Sequence, residues 1–181
     1  MRLFHALIYH QSSELAKVIN YKLEGFEHTL LWDVNIIKGG VPYTVCLYLG
    51  PGERGDYLTN PLSWPICSDR LVHLIHRRGA SGVQILEFRL LDANTERPVE
   101  GYRLVNVLTK IEALDIAQSQ LSRDENGRIS AVFKIAVSPE KVSKDVHIFR
   151  LSEWPYAIIV SDALAQDFVG KGLRGLAFER L

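Results

Sequence analysis

Short runs rich in apolar, β-branched and aromatic residues, separated by polar turns, recur along the chain and predict a protein made mainly of strands. RLFHALIY (2–9) reads as a first strand. TLLWDVNI (29–36) and YTVCLYL (43–49) read as two more, being rich in β-branched and aromatic residues. KGGVP between them has turn composition, so a hairpin is expected there. VQILEFRLLD (83–92), the start of YRLVNVLTKIEALDIAQSQL (102–121), ISAVFKIAV (129–137), VHIFRL (146–151) and YAIIV (156–160) continue the strand pattern. SRDENGR (122–128) carries an Asn-Gly turn. Helical spacing occurs in SSELAKVINY (12–21), where Leu15, Val18 and Ile19 form a stripe behind a Ser12 or Ser13 cap. It recurs at Leu108, Ile111, Leu114, Ala117 and Leu121, which predicts a helix or helical turn. About eight or nine strands and three helices, without regular alternation, predict an α+β fold with a mostly antiparallel or mixed sheet.

One sentence of the sequence occurs twice. SDRLVHLIHRRGASG (68–82) and SDALAQDFVGKGLRG (161–175) share Ser-Asp-x-Leu, seven residues, then Gly-x-x-Gly, and a strand-like run follows each. Ser68 and Ser161 stand where a helix N-cap belongs, and Asp69 and Asp162 fall in the first turn, where negative charge suits the helix dipole. Gly79 and Gly172 stand where a helix ends on a residue of positive φ, and Gly82 and Gly175 release the chain into the next strand. The unit is strand, helix, strand, used twice. Internal duplication and independent use of one capping chemistry both explain it, and thin similarity outside the template favours the second.

Residues 50–65, GPGERGDYLTNPLSWP, form the longest loop signal. They divide an N-terminal part, 1–60, from a core, 61–181, within what is expected to be one domain of this 181-residue chain.

Composition narrows the function. Lys+Arg and Asp+Glu both number 21, and the balance argues against a protein built to hold nucleic acid. No apolar run approaches the ~20 residues that span a bilayer, and MRLFHALIYHQ lacks a signal-peptide pattern, so a cytoplasmic protein is expected. Cys46 and Cys67 read as reduced, buried thiols.

Chemistry is sparse. The Gly-x-x-Gly segments follow helices, whereas a phosphate cradle needs its glycines before one. Asp69, His73 and His76 could form a metal site on one helix, but an exposed helix face explains them as well. His147 could act as a base, yet no local Ser or Cys nucleophile accompanies it. Glu112 and Asp115 could be paired acids, with a solvated face as the plain alternative. Trp32, Trp64 and Trp154 are core residues or anchors of a partner surface. No catalytic residue, cofactor or metal is assigned. A small metal-dependent or His-based hydrolase is the alternative function, and a scaffolding domain a third.

The order of YRLVNVLTKIEALDIAQS, HIFRL and IIVSDALAQDFVGKGLRGLAFERL resembles immunity protein family eleven of bacterial polymorphic-toxin systems. Tyr102, Asn106, Val107, Ala113, Leu114, Asp115, Ser119, Ile148, Phe149, Arg150, Ser161, Leu164, Gly172 and Gly175 carry the resemblance. PICSDRL with Gly79 and Gly82 extends it over roughly 61–181. Asp69 and Asp162 stand where members often have Glu. The resemblance implies a non-enzymatic cytoplasmic protein that binds and neutralises a cognate toxin. Motifs shared among proteins facing different toxins should serve the fold, so contacts belong to individual loops. Glu53, Arg54, Asp56, Tyr57, Asp124, Glu125, Glu153 and Tyr156 are the candidate partner-binding residues.

Overall fold

The computed structural model describes residues 2–10, 12–78 and 82–181. The chain runs through β1 (Phe4–Tyr9), β2 (Val18–Leu23), β3 (Val45–Leu49), β4 (Tyr57–Leu58), β5 (Ile66–Ser68), α1 (Asp69–Arg77), β6 (Val83–Leu86) and β7 (Arg89–Asp92). It continues through β8 (Tyr102–Val107), β9 (Lys110–Ile111), β10 (Gln120–Arg123), β11 (Ile129–Lys134), β12 (Ile148–Leu151), β13 (Ile158–Ser161), α2 (Asp162–Gly170) and β14 (Leu176–Arg180). Two short 3-10 turns lie at His28–Leu31 and Pro139–Lys141. The fold is α+β and mostly sheet, with strand orders β14-β1-β13-β12-β9, β4-β5-β8-β6, β2-β3-β7 and β10-β11.

The two echoed segments become α1 and α2, each capped as its serine predicts. Ser68 Oγ accepts from the Leu71 N–H at 3.2 Å, and Ser161 Oγ from the Leu164 N–H at 3.3 Å. Gly172 has φ +61°, the left-handed conformation expected after a helix. Gly79 lies outside the described residues. Replacing Ser161 by alanine should cost about 1 kcal/mol of stability, the usual worth of such a cap. Denaturant titration checks this, and an unchanged midpoint would remove Ser161 from the capping role.

The likeness extends well beyond the template. β5 and β6 both run antiparallel to β8, which lies between them; β13 and β14 both run antiparallel to β1, which lies between them. Ser68 pairs with Tyr102, the first residue of β8, and Ser161 with Phe4, the first residue of β1. The helices' first N–H groups, Asp69 and Asp162, donate to Gly101 and Leu3, each just before the inserted strand. At the far ends, the Leu108 N–H donates to Gly82 and the His10 N–H to Gly175. On the outer side, Tyr57 faces Cys67 as Ile148 faces Val160. One five-element unit is thus built twice in the same register. Its inserted strand follows the helix in the chain in the first copy and precedes it in the second. So long a correspondence of register favours internal duplication over independent capping.

The copies pack through a common core. Leu71, Val72, Leu74 and Ile75 of α1 join Leu164, Ala165 and Phe168 of α2 in one buried cluster with Tyr57, Val105, Ile158 and Val160. The Tyr9 and Tyr57 rings stack across it, 4.8 Å apart. A second cluster covers the other face of β4-β5-β8-β6, around Trp64, Ile66 and Leu104, and takes in Val45, Leu47 and Leu90. A third covers the other face of the five-stranded sheet, around Phe4, Phe149 and Ile159. Among the described residues no helix is long and apolar enough to cross a membrane.

Four segments differ from the sequence expectation. Residues 12–21 form no helix: Ala16 and Val18 are buried while Lys17 and Ile19 are exposed, and Val18–Leu23 lies along β3 as the antiparallel strand β2. Residues 29–36 form no strand, and the expected hairpin with 43–49 is absent; the chain enters a 3-10 turn, and Val34 takes φ +58°. Residues 108–121 form no helix. β9 instead pairs parallel with β12, and the Asp115 carboxylate accepts the Ala117 and Gln118 N–H groups, closing a turn before β10. The expected single strand 83–92 is divided between two sheets as β6 and β7. The loop at 50–65 is tied on both sides. Ala16 donates to Glu53, Val18 to Thr59 and Asp56 to Arg174, each through backbone N–H groups.

Candidate functional site

The candidate residues fall into three places. In the long loop, Asp56 and Tyr57 are buried, 9% and 5% exposed. Ser68 Oγ donates to one oxygen of Asp56 at 2.7 Å, and the Arg174 N–H donates to the other at 2.9 Å. Tyr57 lies against Tyr9 in the central core, and burial raises its hydroxyl pKa well above the ordinary value. Both residues therefore serve the fold and offer a partner little surface. Glu53 and Arg54 are exposed, and Glu53 pairs with Arg174. Asp124 and Glu125 lie at the tip of the β10–β11 hairpin, where Asp124 accepts the Asn126 and Arg128 N–H groups and Glu125 stands exposed.

Glu153 and Tyr156 meet in the third place. They lie in the link from β12 to β13 and line a shallow groove of about 570 Å³ with Trp32, Trp154 and Pro155. Ile129 and Ser130 of β11 close its other side, so the groove joins the hairpin that carries Asp124 and Glu125. The Tyr156 ring lies 5.6 Å from Trp32 and 4.8 Å from Trp154, steeply inclined to both. These are favourable edge-to-face arrangements, which hold an aromatic surface rigid. Tyr156 is nevertheless 56% exposed. Glu153 is half-buried. One carboxylate oxygen accepts from the Leu114 N–H at 3.1 Å, and the other has no partner among the described residues.

Two buried side chains hold the walls in place. Trp64, fully buried, donates its indole N–H to the His28 carbonyl at 2.9 Å and so fixes the 3-10 turn that leads to Trp32. Arg150, 1% exposed, donates to the carbonyl of Pro155 between Trp154 and Tyr156. Burial lowers the Arg150 pKa to about 10, while the neighbouring Tyr57 and Tyr9 hydroxyls act against that, and the guanidinium stays charged at neutral pH. Sequence reasoning proposed Trp32 and Trp154 as core or anchors and Arg150 only through resemblance. Ile129 and Ser130 it missed, because a strand residue carries no mark of which neighbour it will meet.

The hydrolase candidates occupy other roles. His147 Nδ1 lies 2.7 Å from Ser161 Oγ, but Ser161 is 2% exposed and caps α2. Burial, together with Arg2 and Arg78, lowers the His147 pKa. Asp56 holds the same place against Ser68 in the other copy, with its carbonyl accepting the Ser68 N–H as the His147 carbonyl accepts that of Ser161. A carboxylate and an imidazole in equivalent positions point to cap support. His73 and His76 are exposed on α1, and Asp69 lies 3.5 Å from Arg103. Among the described residues no three His, Cys, Asp or Glu side chains group as metal ligands. Cys46 and Cys67 are free and buried, and burial pushes the Cys67 thiol up, against thiolate chemistry.

The molecule is therefore an α+β protein that carries a rigid aromatic groove beside an acidic side chain. The chain belongs to the immunity protein family (Imm11), whose model matches residues 42–181. The match begins before residue 61 and takes in β3 and the long loop. No curated protein matches the chain.

Proposed function

We propose that this protein neutralises a cognate toxin by binding it in the cytoplasm of the producing bacterium, and that the aromatic groove is the centre of the contact. Membership of an immunity protein family supports the role. The observation that carries the choice of surface is Tyr156, a large aromatic ring left 56% exposed yet braced by Trp32 and Trp154. A preorganised aromatic anchor loses little entropy on binding, which is why Tyr and Trp dominate interface hot spots. Glu125 and Asp124 on the adjoining hairpin, and Glu53 and Arg54 at the long loop, supply charge for steering. The protein acts here as a stoichiometric binder and performs no chemistry.

The test is co-expression with the toxin encoded beside this gene. The wild-type protein should restore growth and co-purify with the toxin. Tyr156→Ala should weaken the complex by about 2 kcal/mol, roughly thirtyfold, as loss of a hot-spot aromatic does. Its thermal unfolding should change little, since the ring is half in solvent. An affinity equal to wild type would remove the groove from the interface, and a wild-type protein that neither binds nor protects would remove the immunity role.

A further inference from the structure

We infer that the outer edge of β14, with the groove that α2 makes beside it, receives an extended segment of the toxin as an added antiparallel strand, in the order acidic residue, any residue, apolar residue. The inference rests on the toxin-binding role and not on the aromatic groove, with which this site shares no lining residue. It adds a second contact.

The backbone pattern supplies the edge. β14 is an outer strand of the five-stranded sheet, and among the described residues it pairs with β1 alone. The His10 N–H donates to Gly175 and the Leu181 N–H to Phe4, so in this register residues 175, 177, 179 and 181 turn their backbone groups toward β1. Leu176, Phe178 and Arg180 therefore turn theirs outward. β4 covers the beginning of that edge, where the Tyr57 N–H donates to the Arg174 carbonyl at 3.2 Å. Phe178 and Arg180 are left as the open pair, spaced as an added strand requires. In the other copy the counterpart strand, β6, is overlaid by the chain itself: Gln84 exchanges two hydrogen bonds with the Ile37 backbone, and Asn106 donates to Asn35. Ala177 and Ile8 stand in their places here, and Ile8 is exposed.

The groove supplies the specificity. It holds about 420 Å³ between α2 and β14, with Ala165 and Val169 on one wall and Phe178 and Arg180 on the other. The Phe178 ring is held there by Phe168 at 6.2 Å and His5 at 6.3 Å. Val169 is 67% exposed beside it, and an apolar residue set opposite Phe178 would cover both. Asp162, at the Arg180 end, is already engaged by His5 at 2.8 Å and Gln166 at 2.7 Å. Arg180 therefore sets the charge there, and an acidic residue opposite it is the favourable cross-strand pair. A second copy fits poorly. Two β14 edges paired about Glu179 would set Glu179 directly against Glu179, which is unfavourable. Pairing about Phe178 would set the copy's Arg180 against Leu176, where β4 closes the edge. A foreign segment of complementary charge meets neither obstacle.

The probe is the toxin encoded beside this gene, in complex with the full chain, and the readout is amide hydrogen exchange. The Phe178 and Arg180 amides should exchange fast in the free protein and about tenfold or more slower in the complex, with the β1-bonded amides of Ala177 and Glu179 as the internal reference. Val169→Lys, at an exposed position, should keep the wild-type melting temperature and weaken the complex by about tenfold. Arg180→Glu should weaken it several-fold. A complex that leaves both amides as fast as in the free protein, or wild-type affinity in either variant, would overturn the inference and leave the immunity role standing. Protection that grows with the concentration of the free protein would mean that a second copy takes the edge, and would overturn it too. Failure of the wild-type protein to form any complex would remove this inference together with the immunity role.

Discussion

Gly175→Ala should destabilise the protein by about 3 kcal/mol or more, because a left-handed backbone and a backbone collision add together. Gly175 has φ +87°, and a Cβ built on it would lie 2.3 Å from the Tyr57 carbonyl oxygen. That oxygen belongs to the backbone of β4, so relief requires moving either β4 or the turn from α2 into β14. Both are fixed, by the Arg174 N–H on Asp56 and by the Asp56 N–H on the Arg174 carbonyl. Gly172 is the internal control. It also has positive φ, +61°, but nothing lies within 4 Å of its added Cβ. Gly172→Ala should therefore cost only about 1 kcal/mol. Denaturant titration of the two variants measures the contrast. Equal losses would mean that the Tyr57 contact carries no weight.

Trp64→Ala should cost about 3–5 kcal/mol, the range for removing a fully buried aromatic side chain. Trp64 is 0% exposed, packs edge-to-face on Phe26 at 5.7 Å, and donates its indole N–H to His28. Truncation leaves a cavity and orphans the His28 carbonyl. The second loss has a functional reading, since the same turn delivers Trp32 to the groove. Trp64→Phe keeps most of the volume and removes the donor. It should fold more stably than Trp64→Ala, yet loosen the 3-10 turn and weaken toxin capture. The thermal midpoint and the affinity of the same two proteins separate these effects. A Trp64→Phe protein with wild-type affinity would mean that the His28 bond does not position the groove.

The groove was only partly legible in the sequence. Glu153 and Tyr156 could be named because Glu-Trp-Pro-Tyr places aromatic and acidic residues between two clear strands, where a loop must surface. Asp56 and Tyr57 carry the same residue types in a loop rich in Gly and Pro, yet they are buried. Local composition reveals that a segment is irregular. It does not reveal whether another part of the chain, here Arg174 and Tyr9, will cover it.

The same division runs through the fold. Capping, turn chemistry and period-two burial act over a few residues, so the sequence by itself determined α1 and α2, the Asn-Gly hairpin turn, most strands and the α+β class. The echo at 68–82 and 161–175 was visible for the same reason. Strand partners are set by long-range burial, and only the tertiary structure decided them. It turned 12–21 and 108–121 from apparent helices into edge strands, and placed β1 and β8 in equivalent slots although they lie at opposite ends of their repeats. It alone joined Trp32, Ile129 and Glu153 around one groove. They lie far apart in the chain, and what joins them is the burial of Trp64 and the hydrogen bonds that Trp64 and Arg150 make to the segments carrying the walls, long-range contributions that no short stretch of sequence can register.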